Sequence, residues 1–169
     1  MGILNLKGAN VRSIVDSDKS ALSELFWSVT EGVSSPPSCD VLFIYCDFDG
    51  AGQIVGMEAN LRDVICEACA KIVILASDNP TDKVTSILKP TTGYGSANVV
   101  ITINRKGHRF ASFYHRLFTE MWKGVPMPDA WVTLAPQVST AEHSDCPESI
   151  FACEIGPLSF GPGSIFGNR

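Results

Sequence analysis

The stretch Val41–Cys46, with the sequence VLFIYC, is an unbroken apolar run, and the acidic, glycine-rich stretch Asp47–Gly52 (DFDGAG) follows it directly. A strand covered on one face alternates apolar and polar residues, whereas an unbroken run is typical of a strand buried on both faces, as in a parallel sheet. Similar runs occur at Lys71–Ser77 and Asn98–Ile103. Segments long enough for helices separate the three runs, so we predict three adjacent parallel strands.

Amphipathic segments around these strands predict the helices. The sequence predicts a helix over Lys19–Thr30 capped by Asp16 or Ser17, and a second helix over Met57–Ala70. The inward residues expected in the second helix are Leu61, Val64, Ile65 and Ala68. Further helices are predicted over Asp82–Leu88, His108–Trp122 and Pro128–Leu134, and further strands over Ile3–Leu6 and, at a sheet edge, Ile150–Ile155.

Helices that alternate with buried strands predict an α/β fold, specifically a three-layer α/β/α sandwich with a mostly parallel sheet. We expect residues 1–155 to form a single domain, because no linker or internal repeat interrupts them. Residues 156–169 are rich in Gly, Pro and Ser and predict an extended tail that either packs over the body or stays loose.

The net charge and the lengths of the apolar runs argue against some classes of function. The chain has 169 residues and a net charge of −5, which argues against nucleic-acid binding through a basic surface. The longest apolar runs fall far short of the ~20 residues that span a bilayer, so no membrane segment is expected. No basic segment followed by an apolar one stands at the N-terminus, so we expect a cytoplasmic protein without a signal peptide.

Cysteine and tryptophan residues predict packing roles. Six cysteines are present, and Cys66 and Cys69 form a C-x-x-C inside a predicted helix, with Cys69 on its apolar side. A redox or zinc pair usually lies at a helix start or on a turn, so we expect reduced, buried thiols. Trp27, Trp122 and Trp131 are expected to pack in the core.

Carboxylates mark the candidate site. Asp47 and Asp49 follow one buried strand, and Asp78 follows the next. The carboxyl ends of neighbouring parallel strands meet at one edge of the sheet, so these three side chains can converge on a hard cation such as magnesium. Asp and Gly are also ordinary turn formers at strand ends, and this second interpretation stays open.

The widest resemblance is to CHAT domains, caspase-like peptidase domains of clan CD, over residues 5–137. The last strand and the aromatic helix of that family look like Asn98–Thr102 and Phe110–Trp122. Its Gly-x-x-x-x-Ala-Trp or similar ending looks like Gly124–Trp131. Val41–Asp47 resembles the strand that ends in its Ala-Cys-His-Gly, and Ile72–Asp78 resembles the strand that ends in its Leu-Ser-Ala-Cys.

This resemblance implies a caspase-like fold whose catalytic pair is absent. The catalytic His of the family falls on Asp47, and its nucleophilic Cys falls on Asp78. A thiolate that attacks a peptide needs a base to activate it, and neither group stands at its place. The resemblance therefore implies a pseudo-peptidase.

A second resemblance is to the TOPRIM domains of primases and topoisomerases. Their Asp-x-Asp-x-Ala-Gly after a buried strand is similar to the sequence of Asp47–Gly52. That family also has a Glu at the end of an earlier strand, where this chain has Lys7. Loss of one carboxylate weakens magnesium binding.

A third resemblance is to the HAD phosphatases. Asp47 and Asp49 resemble their nucleophile and acid/base pair, Ser77 resembles their hydroxyl, and Lys83 or Lys89 could supply their lysine. The final acidic pair of the family should follow the strand Asn98–Ile103, where the chain has Asn-Arg-Lys-Gly instead.

Two functions follow from these resemblances. The leading hypothesis is a non-catalytic CHAT-like module that binds a protein or peptide partner and needs no cofactor. The alternative is a magnesium-dependent phosphoryl-transfer or nuclease-like enzyme in which Asp47, Asp49 and Asp78 are the catalytic and metal-binding residues.

Overall fold

The computed structural model describes residues 1–77, 99–104, 109–134, 149–152 and 160. Its strands form one sheet in the order β2-β1-β3-β4-β5-β6, in which β6 is antiparallel to β5 and all other neighbours are parallel. The strands are β1 (Gly2–Asn5), β2 (Thr30–Gly32), β3 (Val41–Tyr45), β4 (Ile72–Ser77), β5 (Val99–Asn104) and β6 (Ser149–Ala152). The predicted α/β fold with a mostly parallel sheet is confirmed, as is the parallel β3-β4-β5 order.

The helices in the described ranges are α1 (Arg12–Leu22), α2 (Leu61–Ala68), α3 (Arg109–Trp122) and α4 (Met127–Leu134). Short 3₁₀ turns lie at Gly8–Val11 and Ser23–Leu25. The predicted helix Asp82–Leu88 lies outside the described residues, and the division into a domain and a tail stays a prediction.

Alternate side chains of β3 and β4 enter two different hydrophobic clusters. Val41, Phe43 and Tyr45 of β3 pack with side chains of α1, α3 and α4. Leu42 and Ile44, on the opposite face, pack with side chains of α2. Successive strand residues point to opposite faces, so the unbroken apolar run of β3 arises because both faces are covered. The three-layer, caspase-like form of this arrangement stays a prediction.

The prediction of the first helix is wrong. Instead of Lys19–Thr30, α1 covers Arg12–Leu22, so that the predicted caps Asp16 and Ser17 lie inside the helix. Its buried positions are Val15, Asp18 and Leu22, spaced i, i+3 and i+7. The apolar pattern did not reveal this helix because one of its three buried residues is a carboxylate. Thr30, predicted as helical, begins β2.

The other helices lie close to their predicted positions. The four predicted inward residues of α2 are all buried. The helix begins at Leu61 and not at Met57, because Asn60 is its N-cap and accepts a hydrogen bond from the Arg62 backbone N–H at 3.0 Å. The predicted last strand is confirmed as β6 and pairs antiparallel with β5 at the end of the sheet.

Two predictions about side-chain burial are wrong. Cys69 is exposed, not apolar-facing, because it is the C-cap of α2 and has the left-handed φ of 51°. Trp27 is 98% exposed, because the chain after Ser23–Leu25 is extended and not helical. The described cysteines Cys39, Cys46, Cys66 and Cys69 are free thiols.

Candidate functional site

The carboxyl ends of β1 and β3 bring Lys7 and Asp47 together. The register pairs Asn5 with Tyr45, so each of the two charged residues follows its strand at the same distance. The Lys7 Nζ lies 2.8 Å from Asp47 Oδ1, and the two side chains are 19% and 45% exposed. The edge of the sheet at which carboxylates were predicted to meet therefore also contains the positively charged ammonium group of Lys7.

The turn after β1 holds Lys7 in this position. The Asn5 side-chain oxygen accepts the Lys7 backbone N–H at 3.1 Å, and its side-chain amide donates to the Gly8 carbonyl at 3.1 Å. Gly8 has a φ of +68°, a left-handed conformation that glycine adopts without strain. The Leu6 backbone N–H donates to the Tyr45 carbonyl at 2.9 Å, which continues the β1–β3 pairing towards the ion pair.

Asp49 organises the loop after β3. Its Oδ1 accepts the backbone N–H groups of Ala51 at 2.8 Å and Gln53 at 3.0 Å, and its carbonyl accepts the Gly52 N–H at 3.1 Å. Asp side chains commonly bond backbone groups a few residues ahead and so stabilise turns. These hydrogen bonds match the interpretation of Asp49 as an ordinary turn-forming residue.

The same loop folds back over the end of the sheet. Phe48 is buried and bridges to Ile54, and the Asp47 carbonyl accepts the Val55 N–H at 2.9 Å. Asp47 and Asp49 therefore flank a buried aromatic residue, and the backbone of their own loop binds the carboxylate of Asp49.

Cys46 lies beside the position that resembles the catalytic His. It is fully buried in the cluster that contains α2. Burial, and secondarily the negative charge of Asp47, raises the pKa of the Cys46 thiol to about 12. A buried thiol with a raised pKa carries little thiolate near neutral pH, and the surroundings of Cys46 are those of a packing residue.

Of the three carboxylates predicted to bind a metal at this edge, the structure describes Asp47 and Asp49. Asp78, Lys83 and Lys89 lie outside the described residues, as do the residues of the chain directly after Asn104. Within the described ranges, no group of three or more His, Cys, Asp or Glu side chains is placed to hold a metal ion. The described carboxylates Asp47 and Asp49 are bound by Lys7 and by backbone N–H groups instead.

A second polar feature was missed by the sequence analysis. A shallow pocket of about 320 Å³ lies between α1 and α3, and its lining includes Ser17, Asp18, Ser112 and His115. Asp18 is 2% exposed and accepts a hydrogen bond from the Tyr45 hydroxyl at 2.9 Å. The pocket was missed because α1 was predicted too far along the chain.

The His115 ring, which lines the same pocket, is near Glu24. The His115 Nε2 and Glu24 Oε1 are 2.6 Å apart, with side chains that are 36% and 71% exposed. Surface pairs of this kind contribute little to stability. The exposure of both groups fits a solvated helix face better than a catalytic dyad.

Comparison of the chain with protein families, with curated proteins and with solved structures finds no match. None of the helices in the described ranges has the length and apolar character needed to cross a bilayer.

Proposed function

We propose that this chain is a non-catalytic CHAT-like module, a pseudo-peptidase that binds a protein or peptide partner. The observation that carries the proposal is the 2.8 Å ion pair between Lys7 and Asp47. Asp47 stands where the catalytic His of the resembled family would be, and its carboxylate is engaged by an ammonium group rather than by a thiol.

The chemistry around this pair supports the absence of peptide cleavage. A cysteine peptidase needs a thiol and a base within hydrogen-bond reach of each other. The thiol next to Asp47 in sequence is Cys46, whose pKa is raised to about 12 by burial. The same ion pair opposes the magnesium-dependent alternative, because Lys7 brings positive charge to the edge where a cation would bind.

Partner binding is supported by large apolar side chains at the surface. Trp27 is 98% exposed and Val33 is 85% exposed, on either side of the short strand β2. Tryptophan is among the residues that contribute most to binding when a protein interface buries them. Trp27, exposed beside a sheet edge, is therefore the anchor that we assign to the partner, in contrast to the ion-paired strand ends.

The catalytic half of the proposal is tested with the full-length chain and a diverse peptide library, from about pH 3 to pH 8, with and without magnesium or manganese. We expect no cleavage. Cleavage that disappears in Asp47→Asn and Asp78→Asn variants would show an active enzyme and overturn the proposal. A metal-induced rise in the melting temperature that is lost in the same variants would favour the magnesium-dependent alternative.

The binding half is tested by selecting peptides from a displayed random library on the wild-type chain. Trp27→Ala is compared with Val132→Ala, which truncates an exposed apolar residue on α4 that is 69% exposed. Enrichment of a common peptide motif supports a binding module, and a selective loss with Trp27→Ala assigns its anchor. Failure to enrich any motif would contradict the proposal.

A further inference from the structure

The short strand β2 lies at one end of the sheet, where β1 is its neighbour. The Met1 amino group donates to the Ser28 carbonyl at 2.9 Å, and the Thr30 N–H donates to the Met1 carbonyl at 3.1 Å. The parallel register continues this pattern to Gly32. The main chain is therefore extended from Ser28 to Gly32, and Ser28, Thr30 and Gly32 direct their main-chain groups towards β1.

The two residues between them direct their main-chain groups to the outside of the sheet. Along a strand, the N–H and C=O groups of successive residues point to opposite sides. The groups of Val29 and Glu31 therefore point away from β1, and no hydrogen bond within the described part of the chain involves them. An unpaired row of this kind is a template for pairing with another strand.

Two exposed apolar residues flank this edge at equal distances from Thr30. Trp27 lies three residues before Thr30 and is 98% exposed, and Val33 lies three residues after it and is 85% exposed. Thr30 is itself exposed. In an antiparallel pair of β2 strands with a two-fold axis at Thr30, Trp27 of each copy would be opposite Val33 of the other.

On the basis of the proposed function, in which Trp27 anchors a protein partner, we propose that this partner is a second copy of the chain, paired antiparallel through β2 about a two-fold axis at Thr30. In this register Val29 faces Glu31 of the other copy, so the outward N–H and C=O groups of both residues meet as hydrogen-bonded pairs. Such an interface uses the same surface on both copies, as two-fold dimers do.

The charge of Glu31 favours this register over the neighbouring one. An axis at Glu31 would keep the hydrogen-bond pattern but place the two copies of Glu31 directly opposite each other, where like charges repel. With the axis at Thr30, each Glu31 faces Val29 instead, and its carboxylate remains paired with Arg12 and Lys19 of its own copy. A shift in either direction also separates the two exposed apolar side chains.

The interface is small, so self-association should be weak. Each copy contributes residues 27–33, whereas standard interfaces use about 20–30 residues a side, and we expect a Kd of about 100 µM. Analytical ultracentrifugation of the full-length chain measures this value. Trp27→Ala removes the anchor from both copies and should weaken association by at least about tenfold. The control Val132→Ala, at a residue of α4 that is 69% exposed, should leave it unchanged.

A disulfide cross-link tests the position of the axis. Thr30 would face its own copy at a non-hydrogen-bonded position, where Cα atoms are about 4.5 Å apart and a disulfide fits. Thr30→Cys, in a Cys69→Ser background that removes an exposed thiol, should therefore form a dimer on mild oxidation. Mass spectrometry should map the bond to position 30 of both copies. The control is Ser28→Cys at another exposed position, whose copies would be about 13 Å apart in this register, too far for a disulfide.

Three results would overturn the inference. The first is a wild-type chain that stays monomeric at the highest concentration reached. The second is a dimer that Trp27→Ala does not weaken. The third is equal cross-linking of the Thr30→Cys and Ser28→Cys variants, because the axis would then lie elsewhere.

Failure of this inference can be told apart from failure of the proposed function. A monomer that selects library peptides dependent on Trp27 would remain a binding module, with a peptide and not a second copy at β2. A chain that cross-links through position 30 and also cleaves peptides would refute the pseudo-peptidase and support the dimer.

Discussion

Replacing Lys7 by Glu should turn the strand edge into a site that gains stability from magnesium. The 2.8 Å pair joins side chains that are 19% and 45% exposed, and such pairs contribute about 0.2–1 kcal/mol. Exchanging this attraction for a repulsion of similar size should cost about 0.4–2 kcal/mol in the absence of metal. The new carboxylate would lie beside Asp47 and restore the acid that TOPRIM-like domains have at this position.

The magnesium effect follows from binding linkage. A weak site with a Kd of about 1 mM in about 10 mM magnesium gains RT ln 11, about 1.4 kcal/mol. At about 2–4 °C per kcal/mol for a chain of this size, the melting temperature of Lys7→Glu should rise by about 3–6 °C. Differential scanning fluorimetry with and without the metal measures this rise directly.

The matched control is Lys7→Gln, which removes the ammonium group without adding a carboxylate. We expect a response to magnesium of less than about 1 °C for this variant and for the wild type, because neither places an additional carboxylate beside Asp47. Equal responses of Lys7→Glu and Lys7→Gln would refute the argument that charge at position 7 decides metal binding. A wild-type response as large as that of Lys7→Glu would refute it too.

Two further predictions concern buried polar groups. Tyr45→Phe removes the donor to buried Asp18 and should cost about 1.5–3 kcal/mol, seen in urea unfolding; an unchanged midpoint would contradict the role of this hydrogen bond. Burial raises the pKa of the Cys46 thiol from 9.0 to about 12. As the pH rises above 9, this thiol therefore ionises in the unfolded state before it ionises in the folded state. The free energy of unfolding is unaffected by this thiol below pH 9 and falls between pH 9 and about 12, by roughly 4 kcal/mol at most. Cys46→Ala should flatten this alkaline loss of stability, and an unchanged slope would contradict the assignment.

The sheet could be predicted from sequence because its signal is strong and local. Each central strand is an unbroken apolar run, and helix-length segments between such runs require parallel crossovers. The four inward residues of α2 followed from the same logic of periodicity. In α1 the logic failed because Asp18 faces the core, where the hydroxyl of Tyr45, on a strand distant in sequence, donates a hydrogen bond to it.

The position of Asp47 after β3 could be predicted from the sequence, but its ion pair with Lys7 could not. The residues after β3 do lie at the carboxyl end of a parallel sheet, as predicted. Lys7 was recognised at the position of a missing Glu, yet its contact with Asp47 depends on the register of β1 against β3. Strand register is set by three-dimensional pairing, which no motif in either segment specifies.

The charges at the carboxyl ends of β1 and β3 are balanced by groups of the protein itself. In an enzyme, like charges gathered at such an edge repel one another, and a metal or substrate compensates them. Here Lys7 and Asp47 attract each other, and Asp49 binds the backbone of its own loop, so the described residues at this edge stabilise the protein without a ligand. Large exposed apolar side chains lie away from this edge, at Trp27 and Val33 on either side of β2.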